Sequence, residues 1–203
     1  MPKCLIDLIS IISDILVGAA AIMAIIGLQQ WRVELLGKTR FELARKMVLL
    51  AQEFRDKLFY ARNPATFGGE AKQRVIQENE KPEESIILNE HYTRLQRLQG
   101  LQETLRHLHE ASWEAEIILK PEHAELIKPF EEIYSSLLTA INKFYSFELI
   151  RVRNPATNVS LISEKEKERL HETIDCIGED TISKNTDSAI EKLKVNLKKY
   201  LGK

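Results

Sequence analysis

The sequence predicts an all-α chain, an N-terminal transmembrane helix followed by an antiparallel multi-helix bundle with long, coiled-coil-like helices. Three observations lead there. The stretch from Leu5 to Leu28 is almost wholly apolar and carries only two charged residues, Asp7 and Asp14. Downstream, apolar residues recur at spacings of three and four over long runs, the period of a helix with one buried face. Asn-Pro, Gly and Ser-x-x-Glu signals punctuate those runs, and strand-like alternation is scarce.

The first element takes in residues 1–36, an anchor and its juxtamembrane helix. At about 1.5 Å per residue, Leu5 to Leu28 spans roughly 36 Å, enough to cross a hydrocarbon core of about 30 Å with some tilt. A cleavable signal peptide ending near Ala19-Ala20-Ala21 fits poorly, because the basic n-region is a single Lys3, Asp14 interrupts the run and Ile22 to Leu28 continue it. A soluble core helix is rarely this apolar on every face. Basic residues set the orientation: Lys3 alone precedes the span, whereas Arg32, Lys38, Arg40, Arg45 and Lys46 follow it. The positive-inside rule then puts the N-terminus outside the inner membrane and the rest in the cytoplasm, with Trp31 as an interfacial anchor. Cys4 and Cys176 fall on opposite sides of that arrangement and have no CxxC spacing, so neither a disulfide nor a thiolate metal site is expected.

Residues 37–203 form the cytoplasmic α-helical bundle. Gly37 is expected to interrupt the helix leaving the bilayer, and Thr39 with Glu42 to cap the next. That helix carries Phe41, Ala44, Met47, Val48, Ala51, Phe54, Leu58 and Ala61 on one face and stops at Asn63-Pro64. A polar connection runs through Phe67-Gly68-Gly69 to Lys81, with a short helical piece expected around Val75 and Ile76. Pro82 suits the first turn of a long helix with the stripe Leu88, Tyr92, Leu95, Leu98, Leu101, Leu105, Leu108 and Ala115. The next opens after Pro121, is expected to kink at Pro129, and continues through Ile133, Leu137, Leu138, Ile141, Phe144 and Leu149 to about Val152. Ser163 and Glu166 make a capping box for another, ended by Gly178, and Asp187 begins a last helix with Ile190, Leu193, Leu197 and Leu201. Each is amphipathic, so they must pack on one another.

Two features draw attention as sites. The pentapeptide Arg62-Asn63-Pro64-Ala65-Thr66 recurs as Arg153-Asn154-Pro155-Ala156-Thr157, each copy closing a long helix. Helix termination explains Asn-Pro; the matching Arg, Ala and Thr leave open a docking surface at the pole far from the membrane, with Arg62, Asn63, Arg153 and Asn154 as its candidates. In the anchor, Asp7, Asp14 and Ala21 share a heptad row with Ser10 and Gly18 beside it. Carboxylates at membrane depth are costly, so Asp7, Asp14, Gly18 and Ala21 are candidates for helix association. The alternative is that both carboxylates reach water or headgroups at the outer boundary.

Catalytic and ligand chemistry finds little footing. Only Glu168 and His171 have the Glu-x-x-His spacing of a carboxylate-bridged metal site, and the row Glu103, His107, Glu110 and Glu114 reads as solvated surface. Gly37-Lys38-Thr39 resembles the end of a phosphate-binding loop, but Arg32 stands where the earlier glycine belongs and no strand precedes it. Cys176 has no base placed beside it by the sequence. Lys192, Lys194, Lys198 and Lys199 are mixed with Glu191 and an apolar stripe, which suits bundle packing better than nucleic acid. No nucleic-acid partner and no cofactor are expected.

Several stretches resemble an uncharacterised family of small bacterial single-pass membrane proteins: Trp31-Arg32, Gly37-Lys38-Thr39, Phe41-Glu42-Leu43-Ala44-Arg45, Arg55-Asp56, Arg62-Asn63-Pro64, Glu110 to Leu119 around Trp113, and Lys128-Pro129. The resemblance covers about residues 30 to 150. It implies a bacterial or prophage setting and a helical cytoplasmic domain, and it brings no reaction and no functional residue. The expectation from sequence is therefore a non-enzymatic, membrane-tethered interaction module, serving as scaffold, sensor or effector subunit in phage defence or stress response. Its partners would be the lipid bilayer and an unidentified protein. The competing expectation is a membrane-perturbing or ion-conducting homo-oligomer assembled through the Asp7 and Asp14 face.

Overall fold

The computed structural model describes residues 3–65, 69–154, 163–176, 178 and 180–202, and for residues 3–15 the backbone alone. Its elements are α1 (Lys3–Ala61), a 3-10 turn at Glu70–Gln73, α2 (Pro82–Ile118), a 3-10 segment at Pro121–Ile127, α3 (Lys128–Arg153), α4 (Glu164–Ile174) and α5 (Thr181–Leu201). Among the described residues there is no strand, and the fold is all-α. The chain divides into two compact units, Met1–Glu42 and Leu43–Lys203.

The first unit holds the opening part of α1. It includes one segment long and apolar enough to cross a membrane, with a mean hydropathy of 1.4 and no residue buried. Leu16, Ile22, Met23, Ile25, Ile26 and Leu28 all stand exposed. The break expected at Gly37 does not occur. Thr39 is helical, and its Oγ1 donates to the Leu35 carbonyl at 3.0 Å instead of capping a new helix. One interior glycine costs about 1 kcal/mol, which Leu35, Leu36, Lys38 and Arg40 around it can absorb through their own helix propensity.

In the second unit most of the expected faces are buried; Phe41, which falls in the first unit, is exposed, and Leu88, Tyr92 and Leu95 in the first half of α2 are only half-buried, with Thr93, Arg94 and Arg97 buried there instead. The part of α1 from Leu43 contributes Ala44, Met47, Ala51, Phe54, Leu58 and Ala61; α2 contributes Leu98, Leu101, Leu105, Leu108, Ala111 and Ala115. On the other side lie Phe130, Ile133, Leu137, Ile141 and Phe144 of α3, with Ala189, Ile190, Leu193 and Leu197 of α5. Phe54 and Phe130 meet edge to face, ring centroids 5.2 Å apart, at the centre of this packing.

Cross-helix contacts give the directions. Lys46 pairs with Glu114 at 3.1 Å, Thr104 Oγ1 donates to Glu53 at 3.1 Å, and Arg94 donates to the Asn63 carbonyl at 2.9 Å, so α1 and α2 run antiparallel. His109 with Glu131, His91 with Asn142 and Glu84 with Arg153 show the same for α2 and α3. In this unit α1 and α3 are thus parallel, and both end at the pole opposite Leu43.

Four expected boundaries move, each for a local reason. Pro129 does not kink a helix; it lies in the first turn of α3, where its missing N–H leaves no hydrogen bond unmade, and the residues before it form the 3-10 segment. Val75 and Ile76 lie outside any helix and are exposed, and the short helical piece falls earlier, at Glu70–Gln73. The Ser163 cap forms as expected, accepting from the Glu166 amide at 3.2 Å, but α4 stops at Ile174, short of Gly178. The last helix starts six residues before Asp187, because Asp180 caps it by accepting from the Ser183 amide at 2.8 Å.

Candidate docking end of the bundle

At the pole where α1 and α3 end, α2 begins and α4 turns into α5, charged side chains are drawn inside. Arg62 follows the last residue of α1 and is 1% exposed. Its guanidinium donates to the carbonyls of Glu172 at 2.7 Å, Thr173 at 2.9 Å and Asp175 at 3.1 Å, and pairs with Asp180 at 2.6 Å. Its own carbonyl accepts from the Cys176 amide at 2.9 Å. One planar, five-donor group therefore satisfies open carbonyls at the end of α4 and forms an ion pair with the carboxylate that starts α5.

Two arginines of α2 extend this lattice. Arg94 donates to the Ala61 and Asn63 carbonyls and pairs with Asp175. Arg97 donates to the carbonyls of Asn63 and Ala65, each at 2.7 Å, and grips Glu70. The Tyr60 ring lies 5.1 Å below the Arg97 guanidinium, and its hydroxyl donates to the same Glu70 carboxylate at 3.1 Å. Asn63 adds an Asx turn, its Oδ1 accepting from the Ala65 amide at 2.9 Å. These bonds fix the chain where it leaves α1.

A second clamp closes the following loop. Arg74 pairs with Glu80 and also reaches Asn89 at 2.6 Å and Ser85 at 3.1 Å. The Arg74 hydrogen bond outweighs burial, and with Ser85 and the Gln77 amide it pulls the Glu80 carboxyl from 4.5 to about 2. At Asp180 burial pushes the other way most strongly, but bonds from Arg62 and the Ser183 amide prevail and hold the carboxyl below its ordinary value.

While the charges turn inward, apolar side chains turn out. Phe59, Val75, Ile76 and Ile86 are exposed around this pole, Val75 to 86%. Phe59 also lines a cleft of about 490 Å³, together with Arg55, Leu58, Cys176, Ser183 and Thr186. The Cys176 thiol is half-buried in it, 3.5 Å from the Gly178 carbonyl.

The two copies of the repeat end helices at this same pole but do different work. Arg62 is internal, so its guanidinium is committed to the fold; Arg153 is exposed and pairs with Glu84 at 3.5 Å. Asn63 is half-buried, and Asn154 closes α3 through its amide to the Ile150 carbonyl at 3.0 Å. Thr66 and residues 155–157 of the repeat lie outside the described residues, as do the side chains of Cys4, Asp7 and Asp14. Gly18, Ala21 and Trp31 stand exposed on α1, with open space where a Gly18 Cβ would be.

Arg74, Arg94, Arg97, Asp175 and Asp180 were not singled out by sequence reasoning. A usable signal existed: Arg94 and Arg97 stand on the same face as Leu98, Leu101 and Leu105, and an arginine inside an apolar stripe requires a buried partner. No family model matches the chain, and neither a curated protein nor a solved structure is significantly similar to it.

Proposed function

We propose that this chain is a membrane-tethered helical interaction module, held in an inner membrane by the apolar segment of α1 with its N-terminus outside, and binding a protein partner through the Arg62 pole of its cytoplasmic bundle. The observation that carries this is the contrast at that pole. Three arginines and their carboxylates are spent internally on holding the loops, while Phe59, Val75, Ile76 and Ile86 are left to solvent. Rigid loops that expose apolar side chains lose little entropy on docking and gain by burying them, a combination suited to binding. Scaffold, sensor or effector work in bacterial phage defence or stress response is compatible with such a module.

A photoreactive residue at Val75 of the full-length protein in native membranes tests the reading. A discrete crosslinked protein, lost when Ile76 is changed to Asp, supports it; crosslinks to lipid alone, or none, reject it.

The second reading is a membrane-perturbing or ion-conducting homo-oligomer built through Asp7, Asp14, Gly18 and Ala21. What favours it is that none of the described residues covers Gly18 and Ala21 of α1. If membrane permeability is unchanged by Asp14→Leu, this reading fails.

A further inference from the structure

His123 is the one histidine among the described residues that has neither a hydrogen-bond nor an ion-pair partner at either ring nitrogen, and it is also the most buried, at 2% exposure. The others all have one: His91 meets Asn142 at 3.0 Å, His107 meets Arg106 at 2.9 Å, His109 meets Glu131 at 3.1 Å and His171 meets Asp175 at 3.5 Å. His123 sits in the 3-10 segment Pro121–Ile127, which packs on α2, α3 and α5. Its ring stands perpendicular to that of Tyr200, centroids 5.7 Å apart, so the imidazole fills the space beneath the last turns of α5 as an aromatic plug.

Such a ring is tolerated in one protonation state. Neutral imidazole in an apolar site forfeits a hydrogen bond; imidazolium there is an uncompensated buried cation, which costs far more. The charged groups acting on it are Lys199 of α5 and Lys120 and Glu122 of its own flank, two cations against one carboxylate; α2 and α3 add none to that set. Burial, reinforced by Lys199, holds the imidazole below its ordinary value. Proton uptake therefore requires the ring to reach water, and the element whose aromatic ring packs against it is the C-terminal end of α5.

We propose that His123 is a proton-operated latch: neutral, it seats the last turns of α5 through Tyr200, and protonated, it releases them from the bundle. The sign follows from linkage. A base whose folded affinity for protons is depressed stabilises the docked state above its free pKa and loses that contribution as pH falls below it. Release thus sets in below about pH 6.5, the free imidazole value, and grows up to about tenfold for each further unit. A fall in pH beside the bundle would then expose Leu197, Tyr200 and Leu201 as a new apolar surface.

Amide exchange of the full-length protein in lipid nanodiscs, corrected for the intrinsic pH dependence of exchange, reads this directly. Between pH 7.5 and 5.5, exchange across residues 193–202 is expected to rise by about tenfold, while the Phe54 region of α1 stays protected. His123→Phe keeps an aromatic plug without a proton site and should abolish the rise; His123→Leu serves the same purpose if the larger ring is not accommodated. A wild-type protein with no rise in 193–202, or a rise that persists in a folded His123 variant, overturns the proposal.

Discussion

Arg62 and Asp180, 118 positions apart in the chain, are joined by an ion pair of 2.6 Å in which the arginine is almost completely enclosed. The pair ties the end of α1 to the start of α5, and the same guanidinium holds three carbonyls between them. An interior charge of this kind is stabilising only as a complete set, because removing one partner strands the other away from water.

Replacing Arg62 with Leu is therefore expected to destabilise the bundle by about 3–5 kcal/mol, since Asp180 and the Glu172, Thr173 and Asp175 carbonyls lose their donor together. Asp180→Asn should cost less, and the double variant little more than Arg62→Leu alone. Urea unfolding of the four proteins of this cycle checks it; strict additivity would show that the two side chains act independently.

The same pole is acid-sensitive in a defined window. Glu80 is held at about 2 against an ordinary 4.5, so its contribution to folding is complete above the ordinary value and is lost as pH falls from 4.5 toward 2. Asp180, also depressed, acts in the same direction. Limited proteolysis between residues 74 and 81 should accelerate across that range, and Glu80→Gln should cleave readily at neutral pH. Equal protection in wild type and variant at pH 7 would remove Arg74–Glu80 as the loop's clamp.

How much of this was legible beforehand follows from which interactions are periodic. The buried faces of α1, α2, α3 and α5 were readable because Ala44, Leu101, Leu137 and Leu193 repeat with their helices. The Ser163 cap was readable because donor and acceptor are three residues apart. The lattice at the pole was not, since it joins Arg62 to Asp180, Arg94 to Asp175 and Arg97 to Glu70 across loops whose path no local pattern specifies. The start of α5 was misplaced because Asp180 is followed by Thr181 and Ile182, β-branched residues that disguise a cap and a first turn.

Docking at this pole predicts an asymmetry between stability and binding. Val75→Asp and Ile76→Asp alter side chains that project from a loop fixed elsewhere, so folding should change by no more than about 0.5 kcal/mol. Recovery of a partner on the full-length protein should nevertheless fall sharply for both. Comparable recovery with all four of Phe59, Val75, Ile76 and Ile86 replaced by Asp would move the docking surface to another part of the bundle.

Gly37 lies in the interior of α1, where the sequence predicts a break. The helix runs through it unbroken, from Lys3 to Ala61. A Cβ added at Gly37 meets nothing within 4 Å, so Gly37→Ala should strengthen the helix by about 1 kcal/mol without a steric penalty. Amide exchange over residues 33–41 measures this locally: protection should rise about fivefold in Gly37→Ala. It should collapse in Gly37→Pro, where the ring clashes with the carbonyl of Val33. Wild-type exchange at the unprotected rate through this stretch would mean that the helix is already open at Gly37, and the first prediction to fall would be the continuity of α1.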